Sequence, residues 1–146
     1  MSTPKRRAEL TEAMFRELRR MVANSVLFNQ RAADALKINP TDLQFINLLD
    51  IDGPLTPGRL AELTKLTTGG VTVVLDRLEK AGIVRREPNP NDRRSSLISV
   101  VPKFLRSAEG AYEAMTQETN ALLAQFSDKE LAIVARFLQK ANTTRA

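Results

Sequence analysis

Apolar residues recur every three or four positions through the first quarter of the chain. Leu10, Met14, Leu18, Met21, Phe28, Ala32 and Leu36 fall on one stripe, with Ser25 interposed, and Phe15, Val22, Val26 and Leu27 widen it. This period predicts a single helix over residues 5–36. About 30 residues at 1.5 Å each span roughly 45 Å, longer than a compact domain of this size needs. A helix with more apolar surface than its own domain can cover implies a partner helix, here expected from a second copy of the chain.

The pattern then breaks into shorter helices with readable ends. Asn39 is a natural N-cap, Pro40 suits the first helical position and Asp42 the third, and Leu43, Phe45, Ile46, Leu48 and Leu49 form the inward face. The sequence DGP at residues 52–54 stops that helix. Thr56 caps the next, Pro57 opens it, and Leu60 and Leu63 supply a short apolar stripe. After a tight turn at Leu66 and Thr67, another helix over residues 68–81 carries Val71, Val74, Leu75 and Leu78 and ends before Gly82. Two short helices joined by about three residues form the helix-turn-helix layout.

Period-two segments follow. IVRRE and SSLISVV read as the strands of a hairpin, joined by a proline-stiffened tip, PNPND, with Arg93 and Arg94 behind it. Helical spacing resumes from Lys103 to Phe126 through Leu105, Ala108, Ala111 or Tyr112, Met115 and Leu122. SDKE at residues 127–130 is a capping box opening a last helix with Leu131, Val134, Phe137 and Leu138 on its apolar side. The expected fold is mainly α, with α+β character. A winged helix-turn-helix core with a β-hairpin wing (residues 37–101) is flanked by N-terminal (1–36) and C-terminal (102–146) dimerisation helices.

Composition narrows the function. At 42% hydrophobic residues, the 146-residue chain can build a core. No apolar run reaches the ~18 residues needed to span a bilayer. The basic N-terminus is followed by no apolar segment of the signal-peptide kind, so a cytoplasmic protein is expected. There is no cysteine and no histidine, hence no disulfide, thiolate metal site, thiol sensor or imidazole base. With no acidic dyad, P-loop or dinucleotide fingerprint either, an enzyme is not expected, and neither a catalytic residue, a metal site nor a cofactor is assigned. The net charge of +5 is uneven: residues 38–58 carry −3, whereas residues 59–106 carry +5. A basic middle segment suits a polyanion.

Chemistry can be assigned to two stretches. Opposite the Val71/Leu75/Leu78 stripe lie Gly69, Thr72, Val73, Asp76, Arg77 and Lys80. In a major groove Thr72 can bond a base and Val73 can pack on a thymine methyl, while Arg77 and Lys80 suit phosphates. Thr67, Thr68, Gly69 and Gly70 form the leading end, where free N–H groups and the lack of side chains allow close backbone approach to a phosphate. The alternative is that Gly–Gly only eases helix packing and Val73 is an ordinary exposed residue. At the hairpin, residues 87–97 form a wing whose Arg94, restrained by Asp92 and accompanied by Arg93, suits the narrow minor groove. A solvent-exposed turn with incidental charge is the competing reading.

The run from GPLTPGRLAEL through VTVVLDRLEKAGIVRREPNPNDRRSSLISV resembles the MarR family of bacterial winged-helix regulators, most specifically in LDRLEKAGIVRR and the DRR wing tip. The resemblance implies a homodimer with interlocked terminal helices, binding to a pseudopalindromic double-stranded DNA operator, and repression relieved by a small aromatic or phenolic effector. It places Thr67 to Val73 at the start of the recognition helix and Arg94, with Asp92, at the wing arginine. The sequence departs from the family pattern in having Gly69–Gly70 where relatives often place hydroxyl or basic side chains. Val101 and Phe104 stand where Thr and Gly are frequent. A ligand pocket is expected near Phe28 and Phe45, if anywhere, although these residues suit plain core better. The runner-up function is a winged-helix protein-interaction module without DNA binding.

Overall fold

The computed structural model describes residues 3–143. Residues 1–2 and 144–146, at the ends of the two outer segments expected to dimerise, lie outside the described residues. The elements are α1 (Pro4–Leu36), α2 (Pro40–Asp52), α3 (Pro57–Thr64), α4 (Thr68–Lys80), β1 (Val84–Pro88), β2 (Ser96–Val100), α5 (Pro102–Leu123) and α6 (Asp128–Thr143). This is the expected class, helical with one antiparallel hairpin. The chain divides into two compact units, residues 1–44 and 45–146.

In the first unit α1 runs unbroken for 33 residues. Thr3 caps it by accepting from the Arg6 N–H, and Lys37 ends it in the left-handed region at φ 57°. Only Ala32 and Ala33 of α1 are buried. Leu10, Met14, Phe15, Met21, Val22, Val26 and Leu27 all stand about half exposed or more. Asn39 then caps α2 as its type predicts, Oδ1 accepting from the Asp42 N–H at 2.8 Å.

The second unit holds the helix-turn-helix and the hairpin. Phe45, Leu60, Val71, Leu75, Leu78 and Ile98 are fully buried and form its core. Thr56 caps α3 by accepting from the Arg59 N–H, and Thr67 caps α4 by accepting from the Gly70 N–H at 3.1 Å. Between them Lys65 turns the chain at φ 58°. Gly82, at φ 71°, ends α4 in a Schellman arrangement: its N–H bonds the Glu79 carbonyl, and the Ile83 N–H bonds the Leu78 carbonyl. The left-handed residue then sends the chain straight into β1.

The hairpin pairs Val84 with Val100 and Pro88 with Ser96. It is also tied at mid-strand in a way the strand pattern does not announce. Leu55, in the α2–α3 connection, exchanges two backbone hydrogen bonds with Ile98, at 3.1 and 2.8 Å. Just past the C-terminal end of β2, the Val101 N–H bonds the Ile83 carbonyl at 2.8 Å, and α5 begins without a side-chain cap.

Helix α5 ends at Leu123, three residues before the expected Phe126. The chain between turns tightly, with Gln125 and Phe126 N–H groups on the Leu122 and Leu123 carbonyls, because Ser127 is already committed to capping α6. The capping box forms in full. Ser127 N–H and Oγ–H both donate to Glu130 Oε2, which holds the Glu130 carboxyl below the usual carboxylate range. No residue of α6 is buried. Ile133, Val134, Phe137 and Leu138 remain exposed. Among the described residues no helix is long and apolar enough to cross a membrane.

Candidate nucleic-acid interface

Helix α4 separates its two faces cleanly. Val71, Val74, Leu75 and Leu78 are buried, whereas Thr67, Thr68, Gly69, Thr72, Val73, Asp76, Arg77 and Lys80 are exposed and Gly70 is partly so. The exposed set is the one the helical period selects. Its chemistry varies along the axis. At the N-terminal end, a Cβ built on Gly69 would meet nothing within 4 Å, so no packing inside the chain requires glycine there. One built on Gly70 would sit 3.3 Å from Thr67 Oγ1 and 3.7 Å from Leu66 Cβ, crowding the cap. The two glycines therefore differ: Gly70 has a local structural reason, and Gly69 leaves open backbone.

In mid-helix Thr72 turns its hydroxyl back to donate to the Thr68 carbonyl at 3.0 Å, leaving oxygen lone pairs and the methyl outward. Val73 beside it is 61% exposed, a large apolar side chain with no cover. Arg77 and Lys80 occupy the last turn, where cations also complement the helix dipole.

The wing tip is ordered by side chains as much as by its prolines. Asn89 Oδ1 accepts from the Asn91 N–H, and Asn89 Nδ2 donates to Ser95 Oγ at 2.8 Å, clasping the two sides of the loop. Asp92 Oδ1 accepts the Arg94 backbone N–H at 3.0 Å, a turn typical of Asp. Its contact with the Arg94 guanidinium is longer, 3.6 Å at Nε. Asp92 thus fixes the backbone from which Arg94 projects more firmly than it restrains the side chain. Arg94, with a side chain 94% exposed, reaches outward from that fixed point, and Arg93 next to it is also exposed.

One ion-pair cluster escapes the sequence reading. Arg86, from β1, binds two carboxylates of α4, NH2 to Asp76 Oδ1 at 2.6 Å and Nε to Glu79 Oε2 at 3.0 Å. Asp76 is therefore not a bare negative charge on the outward face. The adjacent Arg85 engages Glu87 and Ser99 within the hairpin instead. The signal was the period of two, which puts Arg85 and Glu87 on one side of the strand and Arg86 on the other.

Phe28 is half-buried in the first unit, and Phe45 is completely enclosed in the second. A groove of about 500 Å³ on α1 is lined by Glu12, Phe15, Arg16, Arg19 and Arg20, and includes neither phenylalanine. Among the described residues no group of His, Cys, Asp and Glu is placed to hold a metal.

A model of the MarR family matches residues 36–95, which hold α2, the helix-turn-helix and most of the wing. The HTH-type transcriptional regulator YcgE of Bacillus subtilis is 38% identical over 141 residues, covering 97% of this chain and 92% of the relative. The chain belongs to the MarR family. Its structure resembles that of a MarR family protein from Bacillus stearothermophilus, with a TM-score of 0.67 and 25% identity over 99% of both chains. It also resembles a mutant MarR of E. coli complexed with operator DNA, with a TM-score of 0.56 and 26% identity, covering 86% of this chain and 91% of that one. As a MarR-family protein this chain is a transcriptional regulator, not an enzyme.

Proposed function

We propose that the chain is a homodimeric, sequence-specific DNA-binding repressor, released from its operator by a small aromatic or phenolic ligand. Helix α4 reads the major groove through Thr68, Thr72 and Val73, with the α4 N-terminus, Arg77 and Lys80 on phosphates. The wing lays Arg94, with Arg93 beside it, in the neighbouring minor groove. The observation that carries this reading is the pairing, in one compact unit, of an uncovered polar helix face with a wing whose terminal arginine is held by its backbone and projects freely. The mutant MarR of E. coli that this chain resembles was solved in complex with operator DNA, which supports DNA binding.

The dimer reading rests on exposed apolar surface at both ends of the chain, along α1 and α6. A second copy covers it and sets two DNA-reading units about one helical turn, roughly 34–36 Å, apart on a pseudopalindrome. The outer segments, residues 1–36 and 102–146, assemble the dimer, and residues 37–101 bind DNA. Release by an aromatic effector belongs to the same proposal. Thermal shift against aromatic acids tests it, since a ligand that binds the folded state raises the melting temperature.

Fluorescence anisotropy against DNA from upstream of the protein's own gene, in a salt series with random competitor, tests the DNA reading. Binding that survives competitor and falls steeply with salt is expected. Absence of binding at low salt would instead favour the protein-interaction module. An acidic Asp76 on the outward face of α4 would suit that alternative, and its pairing with Arg86 weakens it.

A further inference from the structure

Arg86 occupies the centre of β1, opposite Ile98. Ile98 is the residue that exchanges two backbone hydrogen bonds with Leu55. Arg86 therefore stands on the most firmly anchored point of the hairpin. From there its guanidinium grips α4 through two separate edges, NH2 on Asp76 at 2.6 Å and Nε on Glu79 at 3.0 Å. The two carboxylates lie three residues apart on one face of the helix. A planar fork held at two points fixes orientation as well as distance, which the single ammonium of lysine does not.

The side chains involved remain accessible, 31% for Arg86, 62% for Asp76 and 44% for Glu79. Exposed pairs of this kind add little to folding stability. Their geometric consequence is larger. Asp76 precedes Arg77 and lies one helical turn from Thr72 and Val73, whereas Arg86 leads along β1 to the loop that carries Arg94. The cluster therefore joins the groove-reading face of α4 to the base of the wing. Its own formal charge is −1, so it does not attract phosphate by itself.

We propose that Arg86, clamped by Asp76 and Glu79, is a positioning residue that sets the phase between recognition helix and wing, making the two a single bipartite reader of DNA. This rests on the DNA-binding reading above. The clamp fixes how many base pairs separate the major-groove box under α4 from the minor-groove step under Arg94. Specificity then includes a spacing requirement, enforced by residues that touch no base.

The test uses three duplexes: the footprinted operator, an operator with one base pair inserted in each half-site between the α4 and wing segments, and random DNA. The proteins are wild type, Arg86→Lys, Arg86→Gln and the double variant Asp76→Asn/Glu79→Gln. Wild type is expected to lose about tenfold in affinity on the insertion, the scale of one mismatched base pair. All three variants are expected to lose only about twofold on it, within the scatter of a neutral change. Arg86→Gln and the double variant change charge in opposite directions, yet both are expected to lose about tenfold in preference for operator over random DNA. The double variant should also bind random DNA more tightly, having shed two negative charges. A wild-type-sized insertion penalty in the variants would overturn the proposal. So would an equal loss on operator and random DNA for Arg86→Gln with a salt slope lower by about one, the signature of a direct phosphate contact. Melting temperatures measured alongside identify any variant that merely unfolds, and Arg86→Lys, which keeps the charge, then decides. A wild type with no preference for operator would overturn the regulator reading itself, and the phase assignment with it.

Discussion

Replacing Gly69 by alanine sets stability against binding, because the two are expected to move in opposite directions. Gly69 lies in the first turn of α4, and a Cβ there meets nothing within 4 Å. Alanine at such a site restricts the unfolded chain and suits the helix, a gain of about 0.5–1 kcal/mol, taken here at the lower end because the first turn is less demanding than a helix interior. For a chain of this length that corresponds to a melting temperature higher by roughly 1–2 °C. Gly70 is not an equivalent probe, since its Cβ would press on Thr67 Oγ1 at 3.3 Å and disturb the cap. If the backbone of the first turn approaches a phosphate, the same methyl at position 69 holds the helix away. Losing one hydrogen bond to a charged group costs about 1.5–3 kcal/mol, or roughly 10- to 150-fold in affinity. Differential scanning fluorimetry and anisotropy on one preparation read both quantities. A Gly69→Ala protein that melts higher and binds operator as tightly as wild type would refute close approach and leave the glycine without a functional reason.

Arg94→Ala should leave folding nearly untouched, because the side chain is 94% exposed and its pair with Asp92 is long; exposed pairs contribute about 0.2–1 kcal/mol. Operator affinity should nevertheless fall and the salt slope drop by about one, and unchanged affinity in a protein with native circular dichroism would remove the wing from the interface. Val134→Asp with Phe137→Asp puts two charges on the uncovered side of α6; light scattering should show loss of the dimer, and an unchanged dimer mass would clear α6 of that role. Tyr112 is the single tyrosine of a chain without tryptophan, so phenolate absorbance reports on it alone. Burial raises its pKa above 10.0, outweighing the opposing hydrogen bond with Asn47 Oδ1 at 3.3 Å, and nearby Asp50 adds a smaller push upward. A raised pKa means that the folded state holds the proton longer, so stability is fully present below pH 10 and declines as pH rises through the folded value. The native titration midpoint should therefore exceed that of the urea-unfolded chain, and Tyr112→Phe should flatten the alkaline decline; a native midpoint at or below the unfolded one contradicts the burial argument.

Features fixed by neighbouring residues were legible in the sequence. The caps at Asn39, Thr56 and Ser127 and the left-handed stop at Gly82 form within a few residues, and each took the expected form, whereas for α4 the sequence offers Thr67 or Thr68 and Thr67 is the cap. The wing tip was half legible. Its prolines announced stiffness, but the Asn89–Ser95 clasp joins residues six apart, and Asp92 spends its carboxylate chiefly on a backbone N–H. Strand alternation separated Arg86 from Arg85, yet only the placement of β1 beside α4 shows that two carboxylates await it. The Leu55–Ile98 link, 43 residues long, had no local signal at all.

The hardest matter to read was what each apolar stripe is for. Val71, Val74, Leu75 and Leu78 in α4 and Val134, Phe137 and Leu138 in α6 follow the same helical period. The first set is buried by its own unit, whereas the members of the second are 39–46% exposed. The spacing of apolar residues identifies which face of a helix avoids water. What covers that face depends on which surfaces the rest of the chain leaves available, and in α6 the face stands exposed. Burying what remains exposed of these three side chains, 39–46% of each, is worth roughly 0.6–1.4 kcal/mol apiece, against about 1.5–3 kcal/mol for complete burial. A helix that keeps this face uncovered forgoes that stabilisation until another surface arrives, so the proposed dimer draws its support from the exposure of α6 and not from its sequence period alone.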